Sequence, residues 1–215
     1  MLILASASPR RRELLRNARF VFKVMAADVP EVPAANESPR DFAQRLAREK
    51  ARVVFDQLPE SSRSSDIVLG ADTVVVVDGA ILGKPNDERD AARMLRLLAG
   101  RSHQVTTAVC LIGMQPDPPR AKQRQPSRKR ETGNGKRETV FEDVRSETTD
   151  VFFNWLSDAD IQEYIATGEP MDKAGAYAIQ GVASRWIPRI VGCYFNVVGL
   201  PVPLVCRMLH EHGRL

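Results

Sequence analysis

The chain has 215 residues, 43% of them hydrophobic and 27% charged, which is the balance of an ordinary globular domain with a sizeable core. No apolar run reaches membrane-span length, and the N-terminal LILA precedes its arginines rather than following them, so neither a membrane protein nor a secreted one is expected. The net charge of +4 is uneven: residues 116–137 carry a net of +6, leaving −2 for everything else, so the basic character belongs to one segment.

Residues 2–4 read as a short buried strand. Ser8 is a good N-cap and Pro9 suits the first helical position, so a helix begins with Arg10, Arg11 and Arg12 in its first turn. A helix start already carries about half a positive charge, and each arginine there costs roughly 0.3–1 kcal/mol unless an anion sits among them. A bound phosphate resolves that conflict; long side chains curling into water would also relieve it. Residues 20–24 form a second strand, and Glu31 lies in the Pro-rich loop that follows.

Ser38 caps a helix over 39–57. At 100° per residue, Phe42, Ala43, Leu46, Ala47, Val53 and Val54 share one face, and Lys50 falls in the middle of it. Such a lysine either snorkels outward or points into a cleft. Residues 66–69 and 73–77 are strand-like, and Asp72 interrupts the apolar run between them beside Gly70. A carboxylate near a sheet needs a hydrogen-bonded turn, a cation or a metal ion. Asp78 and Gly79 make a hairpin turn into a strand over 80–82, and Lys84 follows.

Asn86 or Asp87 caps a helix that stops at Gly100. Two long strands, 104–113 and 140–153, flank the basic segment 116–137, which reads as a disordered insert at a hairpin tip. Ser157 caps a helix ending at Gly168, followed by GEPMDKAGAYAIQG, which groups Asp172, Lys173, Tyr177 and Gln180 among glycines. A strand within 186–191 and a helix over 202–210 close the chain. The alternation predicts an α/β fold, a mixed twisted sheet flanked by helices. Cys110, Cys193 and Cys206 lack any CxxC pattern and read as reduced thiols of a cytoplasmic protein, and the three histidines lack zinc spacing.

Cationic clamps, carboxylates and an amide together suit a polyphosphate, a hard divalent cation and an activated water. No Walker loop, GxSxG or GxGxxG is present. LASASPRRRELL, the REKA of residues 48–51, VLGADTVV, LGKP, AGRSHQV and GEPMDKAGAYAIQG, in this order, resemble the Maf family of nucleotide pyrophosphatases over roughly residues 1–113 and 139–210.

The resemblance implies one domain of two lobes over 1–215 with a central cleft, an architecture shared with inosine triphosphatases. It implies hydrolysis of a nucleoside triphosphate to the monophosphate and pyrophosphate, as house-cleaning of the nucleotide pool. A divalent cation, Mg²⁺ or Mn²⁺, would assist. Asp72 matches the family's proton acceptor, and Ser6, Arg10, Arg11, Glu31, Lys50 and Lys84 match its polar cleft set. Lys50 and Lys84 would neutralise developing charge, Glu31 and Asp72 would hold the metal, and Asp172 and Lys173 would join the substrate site. Arg10, Thr73 and Gln180 match positions linked to base selectivity, and Ala71-Asp72-Thr73 with Gln180 looks like the branch acting on dTTP and UTP. A homodimer is implied, with no nucleic-acid or membrane partner. Two other readings are a nucleotide-binding regulator of septum formation and cell division, and a nucleic-acid binder acting through the basic insert.

Overall fold

Four consecutive apolar residues make β1 (Leu2–Ala5) a strand buried on both faces, and it stands between two parallel neighbours. The computed structural model describes residues 1–116 and 138–215. After β1 come α1 (Pro9–Asn17), β2 (Phe22–Val24), α2 (Pro39–Gln57) and the single turn α3 (Glu60–Arg63). Then follow β3 (Ile67–Val77), β4 (Ala80–Leu82), α4 (Glu88–Leu98), β5 (Ser102–Pro116), β6 (Glu138–Phe152) and α5 (Asp158–Ala166). Three 3-10 turns lead to β7 (Arg189–Val191), α6 (Tyr194–Val198) and α7 (Val202–Glu211). Residues 117–137 of the expected insert lie outside the described residues.

The seven strands form one mixed sheet in the order β2-β1-β3-β5-β6-β7, with β4 also on β3. One face packs on α2 through Leu46, Ala47, Val54, Val68, Val74 and Ile112. The other face is covered near β1 by α1 and α7, through Leu15, Leu69, Val109, Val205 and Met208. Towards the far end of β3 that face meets α4, α5 and the 3-10 turns around Val75, Leu95, Val105, Ile161 and Tyr177.

The register places an opening in this sheet. β1 ends with Ala5 opposite Gly70, and the antiparallel β4 ends with Leu82 opposite Val75. Residues 71–74 therefore lack a strand neighbour on that edge, while their other edge stays paired with β5. The two segments expected at 66–69 and 73–77 are one unbroken strand, because Gly70 and Asp72 both continue the β5 ladder, opposite Cys110 and Ala108. The strand expected within 186–191 is confined to Arg189–Val191, since Val182–Trp186 coils into a 3-10 turn. The helix α6 has no counterpart in the sequence reading.

Gly70 sets the distance between sheet and helix. A Cβ there would lie 2.1 Å from the Ala47 carbonyl oxygen and 2.8 Å from the Ala51 Cβ, so α2 rests on bare backbone. Gly70→Ala should push α2 off β3 and lower stability by about 1–3 kcal/mol, the usual range for overpacking, or somewhat more. Urea unfolding of the variant beside wild type measures this; an unchanged midpoint would contradict the packing described.

Candidate active site

The opening at residues 71–74 is the floor of a cleft of about 400 Å³. Because side chains alternate along a strand, Asp72 faces the α2 side and Thr73 the opposite side, and the cleft reaches both. The Asp72 side is charged. Lys50, carried by α2 and only 8% exposed, places Nζ 2.7 Å from Asp72 Oδ1 and 2.5 Å from Glu31 Oε1. Of the two sequence-based readings of Lys50, the geometry is that of a side chain pointing into the cleft.

Arg11 closes the sheet edge where β1 stops. Its Nε donates to the Gly199 carbonyl at 2.8 Å, and Nη1 donates to the Ala71 carbonyl at 2.8 Å and to Ser6 Oγ at 3.1 Å. Nη2 donates to Thr73 Oγ1 at 3.0 Å. Four of the five guanidinium N–H donors are thus bound by protein, and little of the side chain is left for a ligand. Arg10 is the contrast: half-buried on the same turn, it lines the cleft and has no hydrogen bond or ion pair among the described residues. Lys84 lines the cleft in the same unpaired state.

Asp172 and Lys173 stand on the opposite wall, paired with each other, and the Lys173 ammonium also reaches the Glu169 carbonyl at 3.4 Å. Their loop is fixed from below by Glu169. Its carboxylate accepts from Tyr164 Oη at 2.7 Å and from the Val182 N–H at 3.2 Å, and a Cβ on Gly181 would strike it. Gln180 is exposed and is not among the residues lining the cleft.

A sequence model of a family described as Maf-like protein matches residues 1–212. The chain belongs to the Maf family. A dTTP/UTP pyrophosphatase of Koribacter versatilis is 52% identical over 214 residues, covering 100% of this chain and 95% of the relative. Relatives of the same description from Bdellovibrio bacteriovorus and Syntrophomonas wolfei are 45% and 44% identical, each covering 98% of this chain and 97% and 96% of their own. A dITP/XTP pyrophosphatase structure from Mycobacterium abscessus aligns with 68% of this chain and 71% of its own, at 15% identity and a TM-score of 0.31.

Within the Maf cleft the two carboxylates are driven apart electrostatically. Burial raises the Asp72 carboxyl above its ordinary range against the opposing charges of Lys50 and Arg11, and Glu31 pushes in the same direction as burial. Burial also acts on Glu31, but the Lys50 hydrogen bond and the charges of Lys50, Lys84 and Arg11 outweigh it and hold Glu31 below the ordinary range. The two carboxylates are thus shifted in opposite directions, the separation expected of groups with different protonic tasks. Among the described residues no group of three or more His, Cys, Asp or Glu gathers as a metal site. Asp72 and Glu31 supply two converging carboxylates, which suits a cation such as Mg²⁺ that takes one or two carboxylates and completes its shell with phosphate oxygens and water.

Sequence reasoning missed the supports of this site: Thr107, Asn196, the Gly199 carbonyl and Glu169. A lone asparagine inside the apolar run YFNVV was the available signal for Asn196. Carboxyl titration of Asp72 by NMR should give a midpoint above the ordinary aspartate value of 3.8. Lys50→Met, which removes an opposing cation, should raise that midpoint further, and Glu31→Gln, which removes a like charge, should lower it. A midpoint at or below 3.8 in wild type would refute the electrostatic account.

Proposed function

We propose that the chain is a nucleoside triphosphate pyrophosphatase that hydrolyses dTTP and UTP to the monophosphate and pyrophosphate. The observation that carries this reading is the buried Lys50 held between Asp72 and Glu31, in a cleft where Arg10 and Lys84 make no hydrogen bond or ion pair among the described residues. A pocket that only bound a polyphosphate would need the cations but would gain nothing from a desolvated aspartate. The choice of dTTP and UTP is supported by relatives described as dTTP/UTP pyrophosphatases at 44–52% identity over nearly the whole chain.

Each group then has a task. Arg10, on a helix start facing the cleft, takes phosphate oxygens, and Lys84 adds a second free cation. Asp72 accepts the proton of the attacking water as the α–β anhydride breaks and pyrophosphate departs. Lys50 offsets charge that develops on the transferred group. Arg11, bound by protein at four donors, holds the sheet edge and Thr73 in place rather than clamping phosphate. Gln180 receives no contact in this assignment because its side chain lies outside the cleft lining.

A divalent cation, Mg²⁺ or Mn²⁺, belongs to the proposal, with Glu31 and Asp72 as its protein ligands. When bound it would neutralise phosphate charge and acidify water. The homodimeric, cytoplasmic setting implied by the resemblance is part of the same proposal; no helix among the described residues is long and apolar enough to cross a membrane.

The test is pyrophosphate release from a panel of nucleoside triphosphates with Mg²⁺. Wild type should prefer dTTP and UTP. Asp72→Asn should lose about a hundred- to ten-thousand-fold in turnover. It should still unfold cooperatively, since Lys50 retains Glu31 as its counterion. Near-native turnover in that variant would remove Asp72 from the mechanism.

A further inference from the structure

Behind Thr73 lies a polar network that the mechanism does not use. Thr107, Thr149 and Asn196 are each completely buried, and none of them lines the cleft. The Asn196 amide is oriented by backbone groups: Oδ1 accepts from the Thr107 N–H at 2.9 Å and Nδ2 donates to the Val105 carbonyl at 2.8 Å. Nδ2 also donates to Thr149 Oγ1 at 2.9 Å. The remaining bonds leave no freedom of direction. A carbonyl can only accept, so Thr107 Oγ1 donates its single proton to the Asn196 carbonyl at 2.9 Å. In its 2.9 Å contact with Thr73, Thr107 must then accept and Thr73 must donate. Arg11 Nη2 donates to Thr73 Oγ1 from the other side.

The hydroxyl of Thr73 therefore has its proton spent and one lone pair filled. What it offers the cleft is a single lone pair, so it accepts from a ligand and cannot donate. On its side of the sheet Val75, Val105, Val197 and Tyr177 line the cleft together with Arg10, Asp172 and Lys173, whereas Asp72 and Lys50 lie on the α2 side. An uncharged, flat part of a nucleotide suits the apolar residues beside Thr73, and its phosphates suit the cations that line the rest of the cleft.

We propose that Thr107 and Asn196 are specificity-determining positioning residues: by fixing Thr73 as an acceptor opposite ring position 3 of a pyrimidine they select a ring that carries N–H there. The imide N3–H of uracil or thymine satisfies that lone pair. The ring nitrogen N3 of cytosine is itself an acceptor and would face it unpaired. This inference rests on the pyrophosphatase reading above and deepens it.

The experiment compares kcat/KM for UTP and CTP in wild type, Thr107→Val and Thr107→Ser. Valine keeps the volume and the backbone N–H but removes the acceptor, which frees the Thr73 proton to turn towards the base. The UTP-over-CTP preference should narrow at least about tenfold in Thr107→Val and stay within about threefold of wild type in Thr107→Ser. A purely structural lesion would lower both substrates together and leave their ratio unchanged. A probe independent of folding is 3-deazauridine triphosphate, with C–H in place of N3–H, which wild type should hydrolyse at least about tenfold less efficiently than UTP. An unchanged ratio in an active Thr107→Val enzyme, or equal use of the deaza analogue by wild type, would overturn the proposal. Wild type that releases pyrophosphate from no pyrimidine triphosphate would overturn the pyrophosphatase reading and this inference with it, a failure visible before any substitution is made.

Discussion

A buried guanidinium holds this molecule together at its most exposed structural weakness. A sheet that loses a neighbour strand for four residues leaves backbone carbonyls without partners, and such edges are costly when buried. Arg11 stands where the next residues of β1 would have been, satisfying the Ala71 carbonyl and tying Ser6, Thr73 and Gly199 to one planar group. Burying that cation would be prohibitive alone, and its desolvation lowers its pKa against the opposing pull of Asp72 and Glu31. Two cations, Arg11 and Lys50, thus face two carboxylates within one small region. The cleft can exist because this balance replaces a strand.

Sheet and helix contribute unequally to the alignment. Gly70 brings α2 close to β3 on the side where Lys50 pairs with Asp72, and the strand alternation turns Thr73 to the opposite side. The Lys50–Asp72 pair lies on one side, and Thr73 with Val75 and Val105 lies on the other. A single pair of adjacent residues divides the cleft because neighbours in a strand point in opposite directions.

Much of this was legible in the chain itself. The helix over 39–57 followed from Ser38, Pro39 and the 3.6-residue repeat, and Lys50 stood out because it broke that repeat. Asp72 stood out for the same reason in a strand. Arg10 and Arg11 could not be told apart, since both occupy one helix start; only the bonds to Ala71 and Gly199, 60 and 188 residues away, distinguish a structural arginine from a free one. Thr107 was illegible because threonine is ordinary in strands, and its meaning depends on Asn196, 89 residues later. Gln180 drew attention as an amide near glycines, but its place in the fold depends on how the 3-10 turns coil, which has no periodic signal.

The long pairing of β5 with β6 separates the chain's growing point from its chemistry. The register runs from Ser102 opposite Phe152 to Pro116 opposite Glu138, and Thr107 lies nine residues before the end of β5. At about 3.4 Å per residue, that end stands on the order of 30 Å from the wall of the cleft. Pro116 and Glu138 are partners, so the two strand ends lie side by side at that tip. A reporter or a second module grafted at this tip would therefore stand well away from the hydroxyls and carboxylates below.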